Sequence, residues 1–281
     1  MTLEQIRKVK AIDFHSHFGD YHMTRGIEYA QKYIPGDIEF LRRGMELANI
    51  GLALNSHLKG LQPRGCTDAV AANEICLKDV ENAADLYMWA VVNPRQKESY
   101  EQAAQLLTHP KCVGIKIHPE EHLYPIMEFG EEIFEFAAKN NALIKTHSGE
   151  ANSMPEDFCV FANRYPEVKI LCSHLGCGWD GSFEHQVRAI QCNAHGNLFT
   201  DTSSQNSMIS NILELSVKEI GSEKILFGTD TPCYFSPSQR ARVDYADISE
   251  DDKLNILYRN ATREFPHIKK IYENLYPGES I

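Results

Sequence analysis

Two histidines one residue apart end an apolar run near the start of the chain, in "AIDFHSHFGD". The residues before them are typical of a buried strand, and residues at positions i and i+2 of a strand point to the same face. His15 and His17 therefore share a face. Two imidazoles placed in this way either form hydrogen bonds within the protein or bind one ion together. The positions of the other candidate residues distinguish these two interpretations.

Other side chains that can bind a metal or transfer a proton stand at the ends of later apolar runs. They are His57 after the second run, Lys116 and His118 in the fourth, His147 in the fifth, His174 in the sixth, Asp201 in the seventh and Asp230 in the eighth. Any one of these histidines could be a buried core residue whose ring nitrogens are hydrogen-bonded within the protein. Their joint placement at the ends of the runs is much harder to explain by packing alone.

The apolar runs themselves recur at intervals of 26 to 40 residues, which is too far apart for hairpins. Their central residues are Ile12, Leu52, Met88, Ile115, Ile144, Ile170, Leu198 and Ile225. Parallel strands need crossover connections of this length, and these connections are usually helical. Apolar residues at three- and four-residue spacing predict helices within 67–84, 131–140, 206–220 and 249–265. Gly221 should end the third of these, and Ser249 with Asp252 should form a capping box at the start of the fourth.

Eight alternating strands and helices predict an α/β fold, a (β/α)8 TIM barrel. The rival is a doubly wound open sheet, which should carry a glycine-rich phosphate turn after its first strand, and "FHSHFGD" is not such a turn. No linker, charge block or low-complexity stretch divides the chain. We expect one barrel domain over residues 1–281.

The composition narrows the class of partner. Hydrophobic residues make up 43% and charged residues 24%, and the net charge of −11, from 28 basic and 39 acidic residues, disfavours nucleic acid or an anionic membrane as the partner. With no apolar stretch of about 18 residues and no signal-peptide core in "MTLEQIRKVK", a cytoplasmic location is expected.

The eight cysteines form no CxxC pair, so we expect buried thiols without disulfides, although Cys172 and Cys177 could belong to a metal site.

In a barrel the carboxyl ends of all strands gather on one face, where active sites of this fold are built. His15 and His17 would supply two ligands from one strand, His147 could reach the same point from across the barrel, and Asp230 lies on the strand that neighbours the first. Imidazole and carboxylate suit zinc and other divalent first-row metals. Three or four protein ligands with one open position are typical of a catalytic site.

Seven motifs in this order resemble the amidohydrolase superfamily and, within it, the amidohydrolase-2 family. They are "IDFHSHFG", "GIKIHP", "IKTHSGE", "CSHLG", "TDTSS", "ILFGTDTP" and "ILYRNATREF". The resemblance runs from about residue 11 to residue 265. That family includes aminocarboxymuconate-semialdehyde decarboxylase, related decarboxylases, sugar lactonases and other hydrolases. The resemblance implies a barrel of the metal-dependent hydrolase type and a divalent metal, most often zinc, but not one reaction.

Carried over residue by residue, the family pattern makes His15, His17, His147 and Asp230 the metal ligands and His174 a catalytic acid or base. In relatives with two metals, His174 would instead bind the second ion and a carboxylated Lys116 would bridge the two. Because "GIKIHP" is also common in relatives with one metal, we favour one ion over two.

The resemblance leaves two reactions open. In hydrolysis of a small ester, lactone or amide, a metal-activated water would attack, and Asp230 or His174 would take its proton. In nonoxidative decarboxylation, the same residues would hold a small carboxylic acid, and His174 would help to deliver a proton to carbon. The chain lacks the large insertions of some decarboxylases, which favours hydrolysis. A non-catalytic barrel is disfavoured because no ligand is lost, and an HxH phosphoesterase is disfavoured by the last two motifs.

The loops after the strands should select the substrate, which we expect to be a small molecule, and the basic residues in these loops would suit a carboxylate. Our expected contacts are Lys116, His118, His57 and Arg64, with further candidates in Tyr21, His22, Arg25, Lys59, Arg95 and Trp179. For each loop residue, a solvated side chain is at least as good an interpretation. A homo-oligomer is compatible with the sequence.

Overall fold

Eight parallel strands form one sheet in which each strand pairs with the next along the chain. The computed structural model describes residues 2–21 and 30–277. The strands are β1 (Ala11–Phe18), β2 (Ile50–His57), β3 (Leu86–Val91), β4 (Cys112–Ile117), β5 (Ile144–Thr146), β6 (Ile170–Cys172), β7 (Leu198–Asp201) and β8 (Ile225–Leu226). All eight central residues named from the sequence lie in these strands. The predicted (β/α)8 TIM barrel is confirmed.

One helix precedes the first strand, and the others follow the strands along the chain. They are α1 (Leu3–Lys8), α2 (Ala30–Tyr33), α3 (Ile38–Leu47), α4 (Ala69–Val80), α5 (Glu98–Leu106), α6 (Ile126–Lys139), α7 (Pro155–Arg164), α8 (His185–Cys192), α9 (Ile212–Ile220), α10 (Ser236–Asp244), α11 (Glu250–Leu254), α12 (Asn260–Glu264) and α13 (Pro266–Leu275). No described helix has both the length and the apolar character needed to cross a membrane.

Backbone hydrogen bonds between the first strand and the segment after the last one bring the ends of the sheet together. The Phe14 amide donates to the Phe227 carbonyl at 2.9 Å, and the Asp230 amide donates to the His15 carbonyl at 2.7 Å. The barrel is therefore nearly closed. This closure places the residues that follow β8 directly beside the two histidines of β1, as the sequence predicted.

Helix ends follow the local sequence signals, with two differences. The helix predicted within 131–140 already begins at Ile126, and the helix predicted within 206–220 begins late. Asp68 caps α4, and Gly221, with φ of 80°, ends α9 as predicted. The helix predicted over 206–220 begins only at Ile212. Asn211 before it adopts a left-handed φ of 66°, a conformation that asparagine tolerates better than most residues and that interrupts a helix.

The capping box predicted at the start of α11 is present. The Asp252 amide donates to Ser249 Oγ at 3.1 Å, and the Ser249 amide donates to Asp252 Oδ2 at 3.2 Å. We expect Ser249→Ala to lower the free energy of unfolding by about 1 kcal/mol, because the Asp252 amide at the helix end loses its acceptor. Chemical denaturation measures this loss. Ser238→Ala, at an exposed position inside α10, should change stability by less than about 0.5 kcal/mol. Equal losses in the two variants would contradict the role of the cap.

Candidate active site

The two histidines of β1 point to the same side of the barrel, as their spacing predicted. Both are buried, and their Nε2 atoms lie 3.1 Å apart. His17 Nδ1 lies 3.1 Å from the Ser56 carbonyl oxygen, and His15 Nδ1 lies 3.0 Å from Asp201 Oδ2. A carbonyl or an ionised carboxylate can only accept, so each Nδ1 carries the hydrogen. Both Nε2 atoms are then left with a lone pair facing the other.

Asp230 brings a third acceptor to the same point. Its Oδ1 lies 3.4 Å from His15 Nε2 and 3.2 Å from His17 Nε2. The backbone there has φ of 55°, a left-handed conformation in which aspartate is found more often than most residues. Three acceptor atoms with no hydrogen between them repel one another unless a cation lies among them. The donor set therefore fits a divalent metal ion, and His15, His17 and Asp230 form one of two described groups with the spacing of metal ligands.

His147, the fourth expected ligand, lines the same cavity but belongs to neither described group. Its Nε2 lies 2.9 Å from Glu150 Oε1, without the alignment of a hydrogen bond, so this buried nitrogen has no hydrogen-bond partner among the described residues. Its ring stacks on His118 at 4.2 Å between centroids. His147 therefore lines the cavity with Nε2 beside Glu150, outside the group formed by His15, His17 and Asp230.

The second group of possible metal ligands consists of His15, His174 and Asp201. His174 follows β6 in a left-handed backbone conformation, φ 73°, and its amide donates to Asp201 Oδ1 at 2.9 Å. Ser203 Oγ lies 2.9 Å from His174 Nδ1 and 2.9 Å from His15 Nδ1. Sequence reasoning placed Asp201 at a strand end without assigning it a role, and it missed Ser203. The only signal for both was the motif "TDTSS".

Lys116 places an ammonium group beside this cluster. Its side chain is fully buried at the end of β4, and Nζ lies 3.5 Å from His15 Nε2. The neighbouring His118 lines the cavity and accepts a hydrogen bond at Nδ1 from the Glu121 amide at 3.3 Å. Both residues expected from β4 to contact substrate therefore face the cavity.

Two expected substrate contacts lie elsewhere. Arg64 does not line the cavity, because its guanidinium is held behind the wall by Glu121 Oε1 at 3.0 Å and Glu150 Oε2 at 3.3 Å. His57 packs edge-on against Phe18 and lines a separate surface cavity. The sequence could not show these positions, since the partners of Arg64 are 57 and 86 residues away along the chain.

The remaining candidates divide in the same way. Tyr21 lines the cavity, whereas Lys59 lies in the separate cavity of His57 and Trp179 is exposed. His22 and Arg25 lie outside the described residues. All eight cysteines are free thiols, and Cys177 and Cys233 line the active-site cavity.

The cavity has a volume of about 220 Å³, which suits a small molecule. Its base is formed by the histidine cluster, Lys116 and Asp230, and one wall is formed by the carboxylates of Glu121 and Glu150. The other lining residues are apolar or uncharged: Tyr21, Leu58, Leu61, Gln62, Cys177, Ser204, Cys233 and Tyr234. Lys116 can therefore pair with an anionic group of a ligand, and Glu121 and Glu150 can accept from hydrogen-bond donors.

Comparison with known proteins places this barrel in a family. The sequence matches the amidohydrolase-2 family, described as amidohydrolase, over residues 12–266. The chain belongs to this family. No curated protein matches the chain with significant sequence similarity.

Solved structures with the same fold include several decarboxylases. A 2,6-dihydroxybenzoate decarboxylase from Rhizobium has 15% identity and a TM-score of 0.67, covering 92% of this chain and 98% of that chain. A 5-carboxyvanillate decarboxylase from Sphingomonas paucimobilis has 15% identity and a TM-score of 0.66, covering 92% and 99%. A dihydroxybenzoic acid decarboxylase from Polaromonas, solved with manganese and 2-nitroresorcinol, has 17% identity and a TM-score of 0.65, covering 95% and 99%. At these identities the likeness establishes the fold alone.

Burial determines which ionisable groups of this site are charged. It lowers the pKa of His15 and His17 well below the usual value, and the positive charges of Lys145 and Lys116 add to this effect. Burial also lowers the pKa of Lys116, to about 8, and raises the pKa of Asp230. Neutral imidazoles are the form that binds metal.

Proposed function

We propose that the chain catalyses metal-dependent, nonoxidative decarboxylation of a small carboxylic acid. The observation that carries this proposal is the position of Lys116, whose buried ammonium lies 3.5 Å from His15 Nε2 on the floor of the cavity. An ammonium buried beside the candidate metal ligands provides a partner for a carboxylate bound at the same place. The solved decarboxylases with this fold, whose names give carboxylic acids as substrates, support the same reaction class.

His15, His17 and Asp230 would hold the metal ion, with His147 as a further ligand. A divalent ion there supplies a Lewis acid that attracts and polarises substrate oxygen atoms. The side chains do the rest: Lys116 orients the carboxylate, and Asp230 and His174 are placed to hold or accept protons. In the reaction the bond from carbon to the carboxylate breaks, its electron pair stays on carbon, CO₂ leaves, and a proton takes the vacant position.

The two glutamates in the cavity wall limit which carboxylic acids can bind as substrates. Glu121 and Glu150 carry two negative charges, and Arg64 behind them neutralises one. A second carboxylate on the substrate would be repelled there, whereas a hydroxyl or amino group could donate to Glu121 or Glu150. We therefore propose a monocarboxylic acid with a donor substituent at its far end.

Hydrolysis of a small ester or lactone is the second candidate, which the sequence alone ranks first. The observation in its favour is that Asp230 Oδ1 lies within 3.4 Å of both β1 histidines and faces the cavity. A carboxylate in this place can take the proton from an attacking water. The same geometry serves both reactions, so the products must distinguish them.

The test is to load the protein with zinc or manganese and incubate it with hydroxy- and aminobenzoates and with a set of lactones. We expect CO₂ release in equal amount to the acid consumed, and loss of that release after treatment with a chelator. Protein loaded with metal that opens lactones in ¹⁸O water, incorporating the label, and releases no CO₂ from any acid would overturn the decarboxylase in favour of the hydrolase. Metal content per chain, measured by elemental analysis, should be close to one.

A further inference from the structure

The hydroxyl of Ser203, two residues after β7, lies between two histidines of the cavity. Its Oγ is 2.9 Å from His15 Nδ1 and 2.9 Å from His174 Nδ1, and it donates a hydrogen bond to Asp201 Oδ1. The Ser203 side chain is fully buried. One hydroxyl therefore joins a candidate metal ligand, a candidate acid or base and a buried carboxylate.

The direction of these hydrogen bonds follows from Asp201. Its Oδ1 accepts from the His174 amide at 2.9 Å, from the Ser203 amide at 3.1 Å and from Ser203 Oγ, and its Oδ2 accepts from His15 Nδ1 at 3.0 Å. Several donors of this kind stabilise the ionised carboxylate, which offers no hydrogen in return. The anionic oxygen is also a stronger acceptor than a neutral imidazole nitrogen, so the single hydroxyl hydrogen of Ser203 goes to Asp201.

We propose that Ser203 is a positioning residue that fixes His174 in the tautomer with hydrogen on Nδ1. With its own hydrogen committed to Asp201, Ser203 Oγ can only accept from the two rings. His174 must then carry its hydrogen on Nδ1, which leaves Nε2 as an acceptor toward the cavity that this residue lines. Asp201 alone fixes His15, but the tautomer of His174 depends on Ser203.

This tautomer assigns a direction to proton transfer at His174. In the resting site, Nε2 of His174 carries a lone pair and no hydrogen. It can therefore accept a proton or a hydrogen bond, but it cannot donate one. In the proposed decarboxylation, the proton delivered to carbon must then come by way of Asp230 rather than from resting His174. The consequence for catalysis rests on the proposed function, whereas the tautomer itself does not depend on the reaction.

The direct test is nuclear magnetic resonance of the full chain labelled with ¹⁵N-histidine, with long-range correlation of ring nitrogens to ring protons. The His174→Gln protein identifies the signals of His174 by their absence. We expect the protonated type of nitrogen at Nδ1 and the unprotonated type at Nε2. Hydrogen on Nε2 of His174 would overturn the proposal, and this measurement on the unaltered chain requires no change at Ser203.

Ser203→Ala then tests the cause. We expect His174 to populate both tautomers, kcat to fall about 10-fold with little change in KM, and zinc affinity to fall less than 10-fold, because the bond from His15 to Asp201 remains. Ser207→Ala is the matched control: Ser207 is buried in the same loop, and its hydroxyl contacts only Thr202, Ser204 and Gln239 among the described residues.

Identical His174 signals in Ser203→Ala and Ser207→Ala would overturn the role of Ser203. If neither the unaltered protein nor the Ser203 variant releases CO₂ from any acid, the proposed reaction fails, and the tautomer result is judged separately on the spectra.

Discussion

Asp230→Asn is expected to lower turnover by about 10³-fold and to weaken binding of zinc or manganese. The Asp230 carboxylate is the only charged member of the three acceptors that face one another within 3.4 Å. Asparagine preserves its shape but removes its charge and its ability to carry a proton. Steady-state kinetics and a metal titration measure the two losses.

The matched control is Asp85→Asn, since that carboxylate is paired with Arg42 at 3.1 Å and lies outside the cavity. It should leave turnover and metal binding unchanged. Melting temperature shows whether both variants fold alike. Turnover at the unaltered level in Asp230→Asn would contradict the assignment of the site, and lost turnover with unchanged metal affinity would remove Asp230 from the ligands while keeping it as acid or base.

The barrel could be predicted because its signals are local and repeated. Each strand needs only a short apolar run, and each crossover needs a helix whose apolar spacing is visible within one segment. The ends of elements were less certain where one residue decides them, as at Asn211, whose left-handed backbone delays α9 to Ile212. The capping box of Ser249 was visible because its two partners are three residues apart.

The candidate site could be predicted only in part, because its contacts join distant segments. Strand order alone brings Asp230 to His15 and His17. It does not show that Arg64 forms ion pairs with Glu121 and Glu150. The partners of a loop side chain depend on the three-dimensional course of the loop, which the strand order does not give.

The hydroxyl between two histidines was equally invisible from the sequence. Ser203 is 188 residues from His15 and 29 from His174, and a serine after a strand is common. Its meaning comes from the distances to two rings and to Asp201. Patterns of residue type therefore predicted the candidate metal ligands but not the groups that orient them.

Lys116→Met is expected to lower kcat/KM for a carboxylic acid by about 10²-fold while raising the melting temperature. The two effects have one cause. The ammonium is fully buried, and its contact with His15 Nε2 is long, at 3.5 Å, so removing the charge relieves a desolvation cost. Methionine fills a similar volume, and a gain of about 1 kcal/mol would raise the melting temperature by roughly 2–4 °C. A buried charge of this kind lowers the stability of the protein, and this cost is accepted because the charge serves the function of the site.

Metal binding separates this role of Lys116 from the carboxylated alternative. If Lys116 acts as an ammonium, its removal takes a positive charge away from the candidate metal ligands, so metal affinity should stay equal or rise. If it were a carboxylated bridge, Lys116→Met would instead reduce metal content from two ions to one or none. Lys97→Met, at an exposed lysine paired with Glu132, should change neither activity nor metal content. Lower metal content in the Lys116 variant alone would therefore contradict the claim that Lys116 acts as an ammonium. The decarboxylase proposal depends on that claim and would fail with it.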